Sequence, residues 1–180
     1  PGAGGQARLQ RLVRQILETE GYFSPQIEFA DSEAAVRLTV SPGPRTLIAG
    51  VDVAVDGPLA AKTRHELIAG WELPVGQPFR QQDWNNAKQQ LLSRLLAENH
   101  AAARLLDSQA TIDPASRTAR LMARYDSGPP FRFGELRVEG LERYPVTLVE
   151  RHNRTVRPGE PYREADLNAL QTALQATPQF

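Results

Sequence analysis

One ten-residue phrase occurs twice in this chain, as GQPFRQQDWN from Gly76 and as GEPYREADLN from Gly159. A single offset of 83 residues, the distance from Gly76 to Gly159, also lays Gly57 on Gly140 and Leu91 on Leu174. Within the phrase it pairs Pro78 with Pro161, Phe79 with Tyr162, Arg80 with Arg163, Asp83 with Asp166 and Asn85 with Asn168. So many matches without a gap mean an internal duplication, and the chain is a series of units of roughly 80 residues. A unit of that size must fold around a small core.

The hydrophobic period changes in a fixed order through the complete middle copy. Val51, Val53 and Val55 alternate with Asp52, Ala54 and Asp56, which predicts a strand ended by Gly57. A helix is expected over 58–69, with Leu59, Leu67 and Ile68 inward and Pro58 in its first turn. After the loop WELPVGQP, a second helix over 81–98 aligns Trp84, Ala87, Leu91 and Leu95, widened by Leu92 and Leu96. Leu106, Ala110 and Ile112 mark a second strand of irregular alternation. The turn DPAS leads to a third, where Ala119, Leu121, Ala123 and Tyr125 alternate with Arg120, Met122 and Arg124. The order β-α-α-β-β, with one apolar face per element, predicts an α+β sandwich of two helices on a small three-stranded sheet.

The ends read as partial copies, which divides the chain into 1–43, 44–127 and 128–180. The first part carries a helix (Leu9, Leu12, Val13, Ile16, Leu17) and two strands (Ile27 and Phe29; Val36, Leu38 and Val40). The last carries a strand with Phe131, Phe133, Leu136 and Val138, a short helix over 145–151, and a second helix from Arg163. The linkers SPGP (41–44) and SGPP (127–130) are short, and an apolar strand follows each, so stiff coupling is expected. In the repeated phrase, Gly76 and Gly159 let the loop turn, Pro78 and Pro161 fix its approach, and Phe79 and Tyr162 fill the space between helices. Asp83 and Asp166 then fall in the first helical turn, where the macrodipole favours negative charge.

Chemistry is sparse. Lys+Arg 21 balance Asp+Glu 21, and all basic residues except Lys62 and Lys88 are Arg. With no basic block, that bias reads as genome composition and nucleic acid is not an expected partner. Cysteine is absent, which excludes disulfides, thiolate metal sites and Cys nucleophiles; it fits a periplasmic protein and many cytoplasmic ones. No apolar run reaches the ~18 residues that span a bilayer. PGAGGQAR lacks the charged start and apolar segment of a signal peptide, as in a segment beginning downstream of one.

No G-x-S-x-G, Walker or Rossmann motif occurs. His65, His100 and His152 stand apart from one another and read as solvated, and Glu18 and Glu20 read as exposed helix charges. Accordingly no catalytic, cofactor-binding or metal site is expected. The one enzyme-class alternative is a pocket beside Trp71 and Trp84 using His65 or Asp83. Asn153-Arg154-Thr155 is an isolated sequon, and RHNRTVR (151–157) reads as a solvated basic loop rather than a lipid-facing one.

EGYFSPQIEF (20–29), TVSPGPRTLIAGVDVAVDG (39–57), YDSGPPFRFGELRVEG (125–140) and GEPYREADLNALQTAL (159–174) follow one another at a set spacing. In that order they resemble the tandem polypeptide-transport-associated (POTRA) domains of TamA-like outer-membrane assembly factors. The resemblance implies the periplasmic domain of a bacterial outer-membrane protein, with a C-terminal membrane β-barrel. It also implies a TamB-like inner-membrane partner and unfolded outer-membrane protein clients such as autotransporters. A POTRA arm of a two-partner secretion exporter is the neighbouring alternative.

In this fold the second strand of each unit lies at the sheet edge, where an extended segment can bond through main chain. The candidate edge in the middle copy holds Arg104, Leu105, Leu106, Asp107, Ser108 and Gln109, with Asp107 as a guard against indiscriminate pairing. In the first copy it holds Gln26, Ile27 and Glu28. A passive spacer fits the same residues.

Three departures from the family pattern stand out. Asn99-His100-Ala101 replaces the motif Gly21-Tyr22-Phe23, with Asn99 expected to take the left-handed helix end. Thr177-Pro178-Gln179-Phe180 stands where the family has Gly, and proline cannot take positive φ. Arg80 and Arg163 stand where a capping Ser or Thr is usual.

Overall fold

A computed structural model describes residues 3–31, 36–140 and 145–176. The elements in order are α1 (Ala3–Thr19), β1 (Gln26–Asp31), β2 (Val36–Ser41), β3 (Leu47–Asp56), α2 (Ala61–Ala69), α3 (Gln81–Ala97), β4 (Arg104–Asp113), β5 (Thr118–Asp126), α4 (Thr147–His152) and α5 (Glu164–Gln175). From β3 to β5 this is the expected β-α-α-β-β, with helices packed on a small sheet. The sheet order is β3-β5-β4, so β5 is central. That position explains its composition. Ala119, Leu121, Ala123 and Tyr125 are all at most 2% exposed. Burial pushes the Tyr125 phenol up to about 12.

The chain divides into two compact units. The first comprises Pro1–Ala54, Gly70–Gln89 and Asp107–Arg124; Ile48, Leu73, Phe79, Trp84, Ala87 and Leu121 are buried in it. Here β1 and β2 form an antiparallel ribbon from Gln26↔Ser41 to Asp31↔Val36. The second comprises Val55–Ala69, Gln90–Leu106 and Tyr125–Phe180, and buries Val55, Leu59, Leu67, Leu91 and Leu95. It also holds a cluster of Phe133, Val156 and Leu170, against which Tyr162 and Leu174 pack.

Four local expectations change. Pro58 is not in a helical first turn. Gly57 accepts the Leu59 N–H at 2.8 Å, and α2 begins only at Ala61. Arg64 then reaches back to the Val55 and Gly57 carbonyls at 2.9 and 3.0 Å. The stretch carrying Phe133, Leu136 and Val138 is not a strand; only Arg132 bridges, to Pro161. Among the described residues no strand lies beside it to take its backbone bonds. On α1, Leu9, Leu12 and Ile16 are exposed at 41%, 53% and 56%, while Val13 and Leu17 are half-buried. Asn99 does not take the left-handed conformation, since Arg117 (φ 57) is the one non-glycine with positive φ among the described residues. The departure at Thr177-Pro178-Gln179-Phe180 lies outside the described residues.

The turn DPAS is built on one carboxylate. Asp113 Oδ1 accepts the N–H groups of Ala115 and Ser116 at 3.0 and 3.4 Å, and its Oδ2 accepts the Ser116 hydroxyl at 2.6 Å. The Ser116 hydroxyl, then these amides, hold the Asp113 carboxyl below its ordinary value. A depressed folded value stabilises the protein above the unfolded one and loses that contribution as pH falls through the folded one. Asp113→Ala is therefore expected to melt below the parent at neutral pH. The gap closes as pH drops below 3.8, a trend that thermal melts across an acid series will report.

Candidate functional site

β4 lies at the edge of its sheet, bonded to β5 on one side and to no other strand among the described residues. Its inward–outward alternation slips between Leu106 and Asp107, both exposed, which is why this strand reads as irregular from sequence. Arg104 is exposed and pairs with Asp126 at 3.4 Å. Leu105 is half-buried, and Leu106 is 51% exposed. Ser108 is half-buried and receives the Lys88 ammonium at 3.4 Å, while Gln109 is exposed. Farther along, Ala110 and Ile112 face a cleft of ≈ 350 Å³ whose other wall holds Gln15, Glu18 and Thr19 of α1. Among the described residues β1 is bonded to β2 alone, with Gln26 and Glu28 exposed and Ile27 half-buried.

The repeated phrase works at the joins between copies. Gly76 and Gly159 take φ of 92° and 84°, the turn the phrase requires. Phe79 is 2% exposed and meets Phe23, a residue of the preceding copy, in a tilted ring contact at 5.9 Å, so it does more than separate helices. Tyr162 packs on Phe133 at 5.6 Å.

A main-chain ladder accompanies each ring. In the first unit Gly21 O accepts from Thr46 N, Thr46 O from Phe79 N, Gln77 O from Ile48 N, and Ile48 O from Gly76 N, all at 2.8–2.9 Å. In the second unit the same scheme runs Asn99 O to Phe131 N, Phe131 O to Tyr162 N, Glu160 O to Phe133 N, and Phe133 O to Gly159 N, at 2.6–3.0 Å.

The fold is the POTRA fold. The chain is 20% identical to the POTRA3-5 segment of BamA from Haemophilus influenzae, with a TM-score of 0.58 over 100% of this chain and 72% of that one. It is 18% identical to BamA from Haemophilus ducreyi lacking POTRA domains 1-3, with a TM-score of 0.58 over 72% of this chain and 24% of that one. No family model matches the sequence.

Against this POTRA-like frame the departures at Arg80 and Arg163 acquire a use. Neither residue takes the place of a capping hydroxyl, and Arg163, the N-cap of α5, makes no side-chain cap bond. Arg80 grips Glu20 through Nε at 2.9 Å and Nη2 at 3.2 Å, with Arg45 at 3.7 Å from the same carboxylate. Glu20 is thus not the free helix charge expected from sequence. The Arg80 hydrogen bond lowers the Glu20 pKa; burial opposes it, and the charges of Arg80 and Arg45 add to the lowering. Arg163 pairs with Glu98 at 3.6 Å. Sequence reasoning passed over this pairing, though a signal was present. Glu precedes both Gly21 and Asn99, and Arg follows both aromatics. Asp83 and Asp166 do sit in their helical first turns.

The histidines stay apart. His65 is exposed, and His152 contacts the Leu148 carbonyl through Nδ1 at 2.7 Å. His100 is buried rather than solvated, because bonds from His100 N to Glu98 O and from Ala103 N to His100 O fold the segment inward. Among the described residues no group of His, Asp or Glu has metal-binding geometry, and no helix is long and apolar enough to cross a membrane. Trp71 and Trp84 meet edge to face at 5.9 Å, with the Trp71 indole donating to Leu73 O. The sequon residue Asn153 is spent on Val156, donating to its carbonyl and accepting its N–H.

Proposed function

We propose that this chain is a non-catalytic periplasmic scaffold of an outer-membrane assembly factor, made of the C-terminal part of one POTRA unit (1–43), a complete unit (44–127) and the N-terminal part of a third (128–180). Its TamA-like reading places a TamB-like inner-membrane protein and unfolded outer-membrane clients, autotransporters among them, as partners, with a C-terminal barrel in the complete protein. The observation that carries the reading is the edge position of β4 within a POTRA fold. A client strand adds there through N–H and C=O groups, at residues Arg104 to Gln109, with Gln26 to Glu28 as a second rim. Main-chain bonding makes little demand on client sequence, which suits a factor serving many β-rich proteins.

Amide-resolved titration of the chain with an extended outer-membrane strand peptide, and separately with the C-terminal region of TamB, tests this. Shifts concentrated on residues 104–109 or 26–28 are expected, and saturation without movement at either rim would overturn it. Asp107→Ala, which removes the exposed charge from the edge, should tighten the peptide a few-fold, on the order of 1 kcal/mol or less.

A further inference from the structure

We infer that the two joins between copies differ in stiffness by construction: the first is locked by side chains, and the second, built on the same main-chain ladder, is the compliant one. This is independent of which client the edge strands take.

The ladders match bond for bond, so the difference lies in what surrounds them. At the first join Arg80 holds Glu20 with a two-pronged bond, and these side chains are 40% and 39% exposed. Arg45 reinforces the carboxylate while stacking over the Tyr22 ring at 5.1 Å. Phe23 meets Phe79 across the join. Gly21, with φ of 90°, lies so close to Phe79 that its backbone and the Phe79 carbonyl leave no room for a methyl group.

At the second join each element is weaker. Arg163 meets Glu98 through one contact at 3.6 Å, and the pair is 62% and 63% exposed. His100 and Ala101 stand where Tyr22 and Phe23 stand in the first, so neither the stacked arginine nor the cross-join ring has a counterpart. The His100 Nδ1 is buried with no hydrogen-bond partner among the described residues, a cost that no feature of the first join carries. A geometrically fixed, two-pronged ion pair restrains both side chains, whereas an exposed single contact is readily exchanged for water.

The absence of native cysteine makes the test direct. Spin labels at Arg37→Cys with Ala115→Cys report the first join, and Gln90→Cys with Gln171→Cys report the second. Double electron–electron resonance on the full chain should give a distance distribution at least about twice as wide for the second pair. Glu20→Gln is expected to widen the first pair, and about 0.5 M salt should do so only partly, since the two-pronged bond is more than long-range charge. Arg80→Lys keeps the charge but not the fork, and widening there supports the same conclusion if Glu20→Gln melts early. Ala101→Phe should narrow the second pair. Equal widths in the parent, or a first pair indifferent to both Glu20→Gln and Arg80→Lys, would overturn the inference.

Discussion

Gly21→Ala is expected to destabilise the protein by about 3 kcal/mol or more. Gly21 ends α1 with its N–H on Glu18 O and its carbonyl on Thr46 N, at φ of 90°. An alanine there adopts a conformation that L residues disfavour, and its Cβ runs into the Phe79 carbonyl. That carbonyl cannot retreat cheaply, because Phe79 N is bonded to Thr46 O and the Phe79 ring is buried. Gly76→Ala is the internal comparison. Its φ of 92° is as unfavourable, but the space around it is open, so the cost should stay near the backbone strain alone, about 1–2 kcal/mol. Urea midpoints for the two variants separate collision from strain. Equal losses would mean that the contact with Phe79 carries nothing.

Trp84→Ala should cost about 3–5 kcal/mol, the range for removing a buried aromatic from a core that can only partly close. Trp84 is 3% exposed on the inner stripe of α3, edge-on to Trp71, with the Lys88 ammonium 4.7 Å above its ring. Trp71→Ala is expected to cost distinctly less, since that indole is only half-buried and bonds to a carbonyl two residues away. Denaturant unfolding followed by circular dichroism gives both values. A Trp84→Ala loss below about 1 kcal/mol would argue that the helix layer is not packed through this residue.

The sandwich was legible because its signals are local and redundant. Alternation names β5 residue by residue, and the stripe Trp84, Ala87, Leu91 and Leu95 is buried as its spacing requires. What could not be read depends on partners distant in sequence. Phe131 to Val138 has strand composition, but a strand forms only beside another, and here Phe131 and Phe133 bond only to Asn99 and the turn at 159–162, around the Arg132–Pro161 bridge. Pro58 suits a first helical turn, but the Leu59 N–H and Arg64 bind the end of β3 instead. Glu20 and Arg80 are far apart in the chain, so nothing local distinguishes their pairing from two solvated charges. The edge position of β4 was anticipated from the resemblance, not from its residues. The slip at Leu106 and Asp107 is visible in sequence only as a loss of pattern.

Because the ladder at each join runs between peptide groups, side-chain drift can loosen a join by removing its ion pair or rings without erasing the ladder itself. Proline removes a donor from these ladders outright at Thr46, Ile48, Gly76 or Phe79, and at Phe131, Phe133, Gly159 or Tyr162. Distant versions of this module should therefore splice end to end while sharing little beyond a turn glycine and an aromatic, leaving evolution free to rewrite the rest of the surface.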